Sequence, residues 1–283
     1  MIVEELQSLV TKAQRQHNVP LYIKNLLKEN LQIYILNFIY LNKNYNKNFI
    51  FTGGTCLRNC FGLNRLSEDL DFDLKKPIDV LEFKTSMENY FKKEYLYEGI
   101  QISILQRGSQ LLLKFPVLKK LKLATDSESD LLYVKIDLSP MISKIYDQQT
   151  TLKNINHFNY LVIHYDLPSL MTGKLNAILT RNRLAGKENI KVVKGRDYFD
   201  LLWFLEKKVI PNIPRLNDLL PTVYSMTQLI SMIDAKVEEV TTTLHQYFKL
   251  DLLPFIDDSR FLDTYLENYR KIYDSHKMYL LEQ

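Results

Sequence analysis

The chain has 283 residues, 46% of them hydrophobic and 25% charged, the balance of a soluble globular protein. Its net charge of +4, from 37 basic and 33 acidic residues, is compatible with nucleic acid but too mild to argue for it. The longest uncharged apolar stretch, Leu31 to Leu41, is too short to span a bilayer, and the opening MIVEELQSLV lacks the basic region and cleavage site of a secretory signal. No membrane partner is therefore expected, and the expected location is the cytoplasm.

A chain of this length buries roughly three-quarters of its unfolded surface, enough for one large domain or two small ones. Residues 2–16 and 20–43 read as two amphipathic helices broken at Asn18-Val19-Pro20, with Pro20 allowed in a first turn. Phe49, Ile50 and Phe51 then read as a buried strand ending at Gly53-Gly54-Thr55. Thr55 to Phe61 reads as a short helix closed by Gly62 in the left-handed cap position. Cys56 and Cys60 share a face of that helix. With no histidine near them in sequence they carry no zinc signature and read as buried thiols in a reducing compartment.

A polar turn with Arg65 and Ser67 leads into Asp69-Leu70-Asp71-Phe72-Asp73. Period-two alternation puts the three acids on one face of a strand and the apolar residues on the other. Carboxylates crowded on one face repel one another, an objection that a divalent cation removes. Mg²⁺ (or Mn²⁺) is held by one or two carboxylates plus substrate phosphates. The glycine pair supplies the complementary half, because N–H groups at a helix N-terminus bind anions. Either feature alone is commonplace: glycine pairs often precede helices, and Asp-X-Asp is usually a solvated edge. Together, with Arg65 and Ser67 between them, they describe a site for a nucleoside triphosphate. No lysine follows the glycines, so this is not a P-loop.

Asp79 to Glu94 reads as a helix, and Gly99 to Leu118 as two alternating strands. In Leu132 to Leu138, Val134, Ile136 and Leu138 point one way and Lys135 and Asp137 the other. Asp137 is thus a candidate third carboxylate, although a solvated strand acid is the commoner case. Tyr160 to His164 reads as a last strand, after which the pattern is helical to the end. Lys174, Ala177 and Arg181 share a face beside the apolar stripe of Met171, Leu175 and Ile178, which ordinarily marks a solvent boundary. A basic loop from Lys187 to Arg196 precedes a helix that is apolar almost all round from Phe199 to Leu205, with Asp197 in its first turn. Helices are then expected over 227–248 and 259–280. No internal repeat and no Ser/His/Asp grouping is legible.

The blocks Gly53-Gly54-Thr55, Leu57-Arg58, Arg65-Leu66-Ser67-Glu68-Asp69-Leu70-Asp71-Phe72, Lys174-Leu175-Asn176-Ala177 with Arg181, and Arg196-Asp197-Tyr198-Phe199-Asp200-Leu201 resemble the AbiEii-type (AbiEii/AbiGii, MenT-like) nucleotidyltransferase toxins of the DNA polymerase β-like superfamily. The resemblance covers roughly Phe49 to Leu205. It implies an α+β fold: a mixed-sheet nucleotidyltransferase lobe with two N-terminal helices (1–165), followed by an α-helical C-terminal lobe (166–283). It also implies Mg²⁺ on Asp69 and Asp71, Ser67 against the nucleotide, and a requirement for Lys174 and Asp197 in activity.

On the physical reading, the Gly54 and Thr55 N–H groups with Arg65 and Lys174 neutralise the triphosphate; Gly53 and, as the resemblance implies, Ser67 complete the candidate nucleotide-binding set. Asp69, Asp71 and Asp137 are the candidate metal ligands, with either Asp137 or Asp197 completing the shell or accepting a proton. The function expected from the two together is Mg²⁺-dependent transfer from a nucleoside triphosphate to an RNA acceptor, the tRNA 3′ end, by a toxin that a cognate antitoxin counters. The alternatives are transfer to a protein hydroxyl or a small molecule, and a catalytically silent nucleotide-binding module.

Overall fold

A computed structural model describes residues 2–181, 183–185 and 190–281. The chain divides into two compact units, Met1–Met141 with Gln148–His164, and Ile142–Asp147 with Tyr165–Gln283.

The first unit opens with α1 (Ile2–Arg15) and α2 (Pro20–Leu41). Pro20 sits in the first turn of α2, where its missing N–H has no intrahelical partner to lose. Then follow β1 (Phe49–Thr52), α3 (Gly53–Phe61), β2 (Asp69–Leu74), α4 (Val80–Tyr95) and β3 (Gln101–Leu105). A single 3₁₀ turn leads to β4 (Gln110–Pro116), β5 (Leu131–Pro140), β6 (Gln148–Ile155) and β7 (Phe158–Tyr165). The seven strands form one mixed sheet in the order β3-β4-β5-β2-β1-β7-β6.

The central strands carry the site. β2 runs antiparallel to β1 and parallel to β5, and β1 runs parallel to β7. Alternation along β2 sends Leu70 and Phe72 into the core, and Phe72 stacks on Phe51 with ring centroids 5.2 Å apart. The acids of β2 are left on the opposite face. α4 starts as the sequence predicts, with Asp79 accepting from the N–H groups of Leu81 and Glu82 at 2.9 and 3.0 Å.

The second unit holds α5 (Leu167–Thr180), the antiparallel pair β8 (Arg183–Ala185) and β9 (Ile190–Val192), and α6 (Gly195–Glu206). It continues with α7 (Ile213–Leu219), α8 (Met226–Thr241), α9 (His245–Leu252), a 3₁₀ turn, α10 (Ser259–His276) and α11 (Met278–Leu281). α6 is the core helix: Leu201, Leu202, Phe204 and Leu205 are buried, and Tyr269 of α10 donates to the Tyr198 carbonyl at 2.8 Å. Ile142–Asp147 belongs here because the buried Arg215 of α7 donates to the Ile145 carbonyl at 3.1 Å and lies 4.5 Å over the Tyr165 ring.

Three local expectations need correction. The single helix expected over 227–248 is two, because the backbone leaves helical geometry at Thr242. Thr241 and Thr242 donate to carbonyls four residues back, Val237 and Glu238, at 2.8 and 2.7 Å. Such back-bonding by consecutive β-branched residues weakens a helix. α7 and β6 went unread, the second because its largely exposed QQTTLKNI has no apolar alternation to see. β9 occupies part of the expected basic loop, and Lys187 lies outside the described residues.

Candidate active site

In the first unit, close packing explains the glycine pair. Gly53 has φ +75°, and a Cβ there would lie 2.1 Å from Asp71 Oδ2. No side chain fits between that backbone and that carboxylate. A Cβ on Gly54 would lie 2.7 Å from an Arg65 guanidinium nitrogen and 3.1 Å from Ser67 Oγ. The turn that opens α3 is therefore pressed against the three side chains that the sequence placed beside it.

The surroundings hold this arrangement in place. Thr55 donates its hydroxyl to the Asp69 carbonyl, linking the start of α3 to the start of β2. Arg65 is buried and donates to the Leu66 carbonyl at 2.8 Å. Gln32 of α2 donates to the Ser67 carbonyl at 3.1 Å, and Lys28, one turn earlier, pairs with Glu68 at 3.1 Å. Arg58 on α3 pairs with Glu29 of α2 at 2.7 Å, so α2 braces both ends of the segment between α3 and β2.

The parallel register of β2 and β5 sets Asp71 beside Asp137 and Asp69 beside Lys135. Lys135 Nζ lies 3.0 Å from Asp69 Oδ2 and 3.1 Å from Asp137 Oδ2, and Gln110 donates to the other Asp137 oxygen at 2.7 Å. Burial pushes the Asp69 carboxyl above its ordinary value; Lys135 opposes that shift, while Glu68 and Asp137 add to it. Lys135 shifts upward in turn: burial would lower it, but Asp69 and Asp137 outweigh burial. Asp69, Asp71 and Asp137 thus lie on one face of the paired strands, with the Lys135 ammonium between Asp69 and Asp137. An all-oxygen acidic donor set of this kind suits a hard divalent cation.

The second unit carries the other predicted residues. Lys174 of α5 is not the solvent-boundary lysine that its helical stripe suggests. Its side chain is 13% exposed, and its ammonium lies 3.0 Å from Asp197 and 2.8 Å from Asp200, both on α6. Asp197 also pairs with Arg181. Burial would raise the Asp197 carboxyl, but Lys174, Arg181 and Lys194 outweigh it and hold it at about 2. Burial lowers the neighbouring Lys194 to about 8; Asp197 opposes that shift, and repulsion from Lys174, Arg196 and Arg181 reinforces it. An open pocket beside this cluster is lined by Ala177, Arg181, Lys194, Asp197, Tyr198 and Glu239.

Asp200 and Lys135 were not singled out from sequence. Asp200 carried a signal: an acid three residues after Asp197, inside a helix otherwise apolar all round, requires a buried cation. Lys135 carried none beyond alternating with Asp137. Four cations between Lys174 and Arg196 are held by acids of their own unit: Lys174 and Arg181 pair with Asp197, Lys191 with Glu239 and Arg196 with Asp251.

A family model described as "Nucleotidyl transferase AbiEii toxin, Type IV TA system" matches residues 38–274. The chain belongs to this AbiEii nucleotidyltransferase family. The match spans both motif blocks, so the two clusters described above lie within it. Among solved structures, MenT4, a nucleotidyltransferase toxin from Mycobacterium tuberculosis H37Rv, is similar with a TM-score of 0.50 at 16% identity. The alignment covers 84% of this chain and 72% of MenT4. JHP933 from Helicobacter pylori aligns with a TM-score of 0.47 at 19% identity, over 92% of this chain and 98% of its own. At 16% identity the likeness to MenT4 is one of fold: a mixed seven-stranded sheet with helices and a helical C-terminal region. A comparison with curated proteins finds no match. No helix among the described residues is long and apolar enough to cross a membrane.

Proposed function

We propose that this AbiEii-family nucleotidyltransferase transfers nucleotides from a nucleoside triphosphate to an RNA acceptor, the 3′ end of tRNA, and so blocks translation until its antitoxin binds. The observation that carries the reading is the fit of Gly53 and Gly54 against Asp71, Arg65 and Ser67. It joins an anion-binding turn to a cluster of carboxylates.

Asp69, Asp71 and Asp137 would hold Mg²⁺. When bound, the metal supplies charge neutralisation at the attacking and departing oxygens of the transferred phosphoryl group. The chain's own residues do the rest. The N–H groups at the start of α3, the Arg65 guanidinium and the Ser67 hydroxyl orient the triphosphate and neutralise it, which counts for most where water is excluded. Lys174, gripped by Asp197 and Asp200, is the lysine we assign to activity. Asp137, in register with Asp71, is the acid we assign to receive the proton of the acceptor hydroxyl. Asp197 instead keeps Lys174 and Arg181 in place.

The test is incubation of the protein with total tRNA, Mg²⁺ and each labelled nucleoside triphosphate in turn. Label should enter tRNA from at least one of them. Label in protein, or in small molecules only, would replace the RNA acceptor with another.

A further inference from the structure

Outside the carboxylate cluster, the fold assembles a group that no local stretch of sequence contains. Cys56 and Cys60 lie on α3 and His164 on β7, just over a hundred positions along the chain. Their ligand atoms nevertheless all lie within 4.8 Å of one another. The register explains the meeting: β7 runs beside β1 with His164 opposite Phe51, just before the turn into α3. Two of the three residues are fully buried, and Cys60 is partly exposed.

The surroundings resemble the outer shell of a metal site. The Thr151 hydroxyl lies 2.8 Å from His164 Nε2, and the Phe61 ring packs edge-on against the imidazole at 5.0 Å, so the ring plane is fixed. Tyr160 is buried, and its hydroxyl has no hydrogen-bond partner among the described residues. A buried donor with no acceptor is costly. Two bare thiolates cannot persist there. Two thiolates and a neutral imidazole around a divalent cation carry no net charge, which suits this interior.

We propose that Cys56, Cys60 and His164 bind a thiophilic divalent cation, Zn²⁺ being the type, and that the bound ion ties the helix carrying the glycine turn to the sheet. Tetrahedral zinc with bonds of roughly 2.3 Å to sulfur sets two sulfurs about 3.8 Å apart, so small side-chain rotations close the site. Binding releases the two thiol protons, and the cation takes their place. Three protein ligands leave a fourth position for water or for an added group.

The experiment is a Co²⁺ titration of the full chain, stripped of metal and kept in a phosphine reductant, with no nucleotide present. The proposal predicts a thiolate-to-cobalt charge-transfer band and the strong visible bands of tetrahedral cobalt, both saturating at a stoichiometric amount and bleached by Zn²⁺. Cys60→Ser, at the partly exposed ligand, should weaken binding by at least about tenfold, and so should His164→Gln. Asp69→Ala should leave the band unchanged, which separates this site from the carboxylate cluster and from the nucleotidyl-transfer reading. The proposal is overturned if the reduced wild-type chain shows no charge-transfer band, or if the band survives unchanged in Cys60→Ser.

Discussion

At the scale of single residues, the two glycines and Lys174 make the sharpest demands. Gly53→Ala places a side chain at positive φ, a strain of about 1–2 kcal/mol for an L residue, and drives its Cβ into Asp71. We expect a modest loss of thermal stability together with loss of transfer, because the carboxylate must move. A variant with wild-type turnover would show that Asp71 need not lie against the turn. Asp69→Ala should leave the chain folded while abolishing transfer. It removes one of several like charges, and burial already raises the carboxyl of Asp69. Lys174 behaves differently from what a helical stripe suggests. A boundary lysine contributes a few tenths of a kcal/mol through a pair. Removing this one leaves Asp197 and Asp200 buried without it, and breaking such pairs costs about 3–5 kcal/mol. Lys174→Met should therefore lower the melting temperature clearly as well as reduce activity. An unchanged melting temperature would mean that the two acids find other partners.

At the scale of elements, the acid-rich helix α6 sets a pH limit. The Asp197 carboxyl is lowered from an ordinary 3.8 to about 2, so its contribution to stability is complete above 3.8 and is lost as pH falls through about 2. The difference in melting temperature between the wild type and Asp197→Asn should shrink across that window; a constant difference would mean the pairing is not ionic. Much of the first unit could be read from sequence, because its strands alternate cleanly: Leu70 and Phe72, then Val134, Ile136 and Leu138, are buried between solvent-side residues. The Gly53-Gly54-Thr55 turn and the Gly62 cap were legible for the same local reason. What stayed hidden depends on pairing across the chain. Nothing local says that β5 would lie beside β2 in the register that sets Asp137 next to Asp71, or that His164 would meet two cysteines on α3. The edge strand β6 and the break between α8 and α9 were missed because polar strands and threonine runs leave no hydrophobic period to follow.

At the scale of the whole molecule, charge decides how the acceptor is held. The net charge is +4, and several cations of the basic run are committed to acids of the same unit. With RNA as the proposed acceptor, each phosphate contact adds a log–log salt slope of about −0.7 on single strands. We expect a shallow but measurable fall of tRNA labelling with salt, and indifference to salt would point to a small-molecule or protein acceptor. Reversing Lys191 would set two acids face to face at Glu239, and reversing Lys194 would set one beside Asp197, so neutral substitutions such as Lys191→Gln are the cleaner probes. The most direct test of the central claim compares wild type with Asp71→Asn in the tRNA labelling reaction with Mg²⁺, at matched folded fraction. The carboxylate cluster behind the glycine turn predicts label at the tRNA 3′ end with the wild type and almost none with the variant. Equal labelling by the two proteins would contradict it.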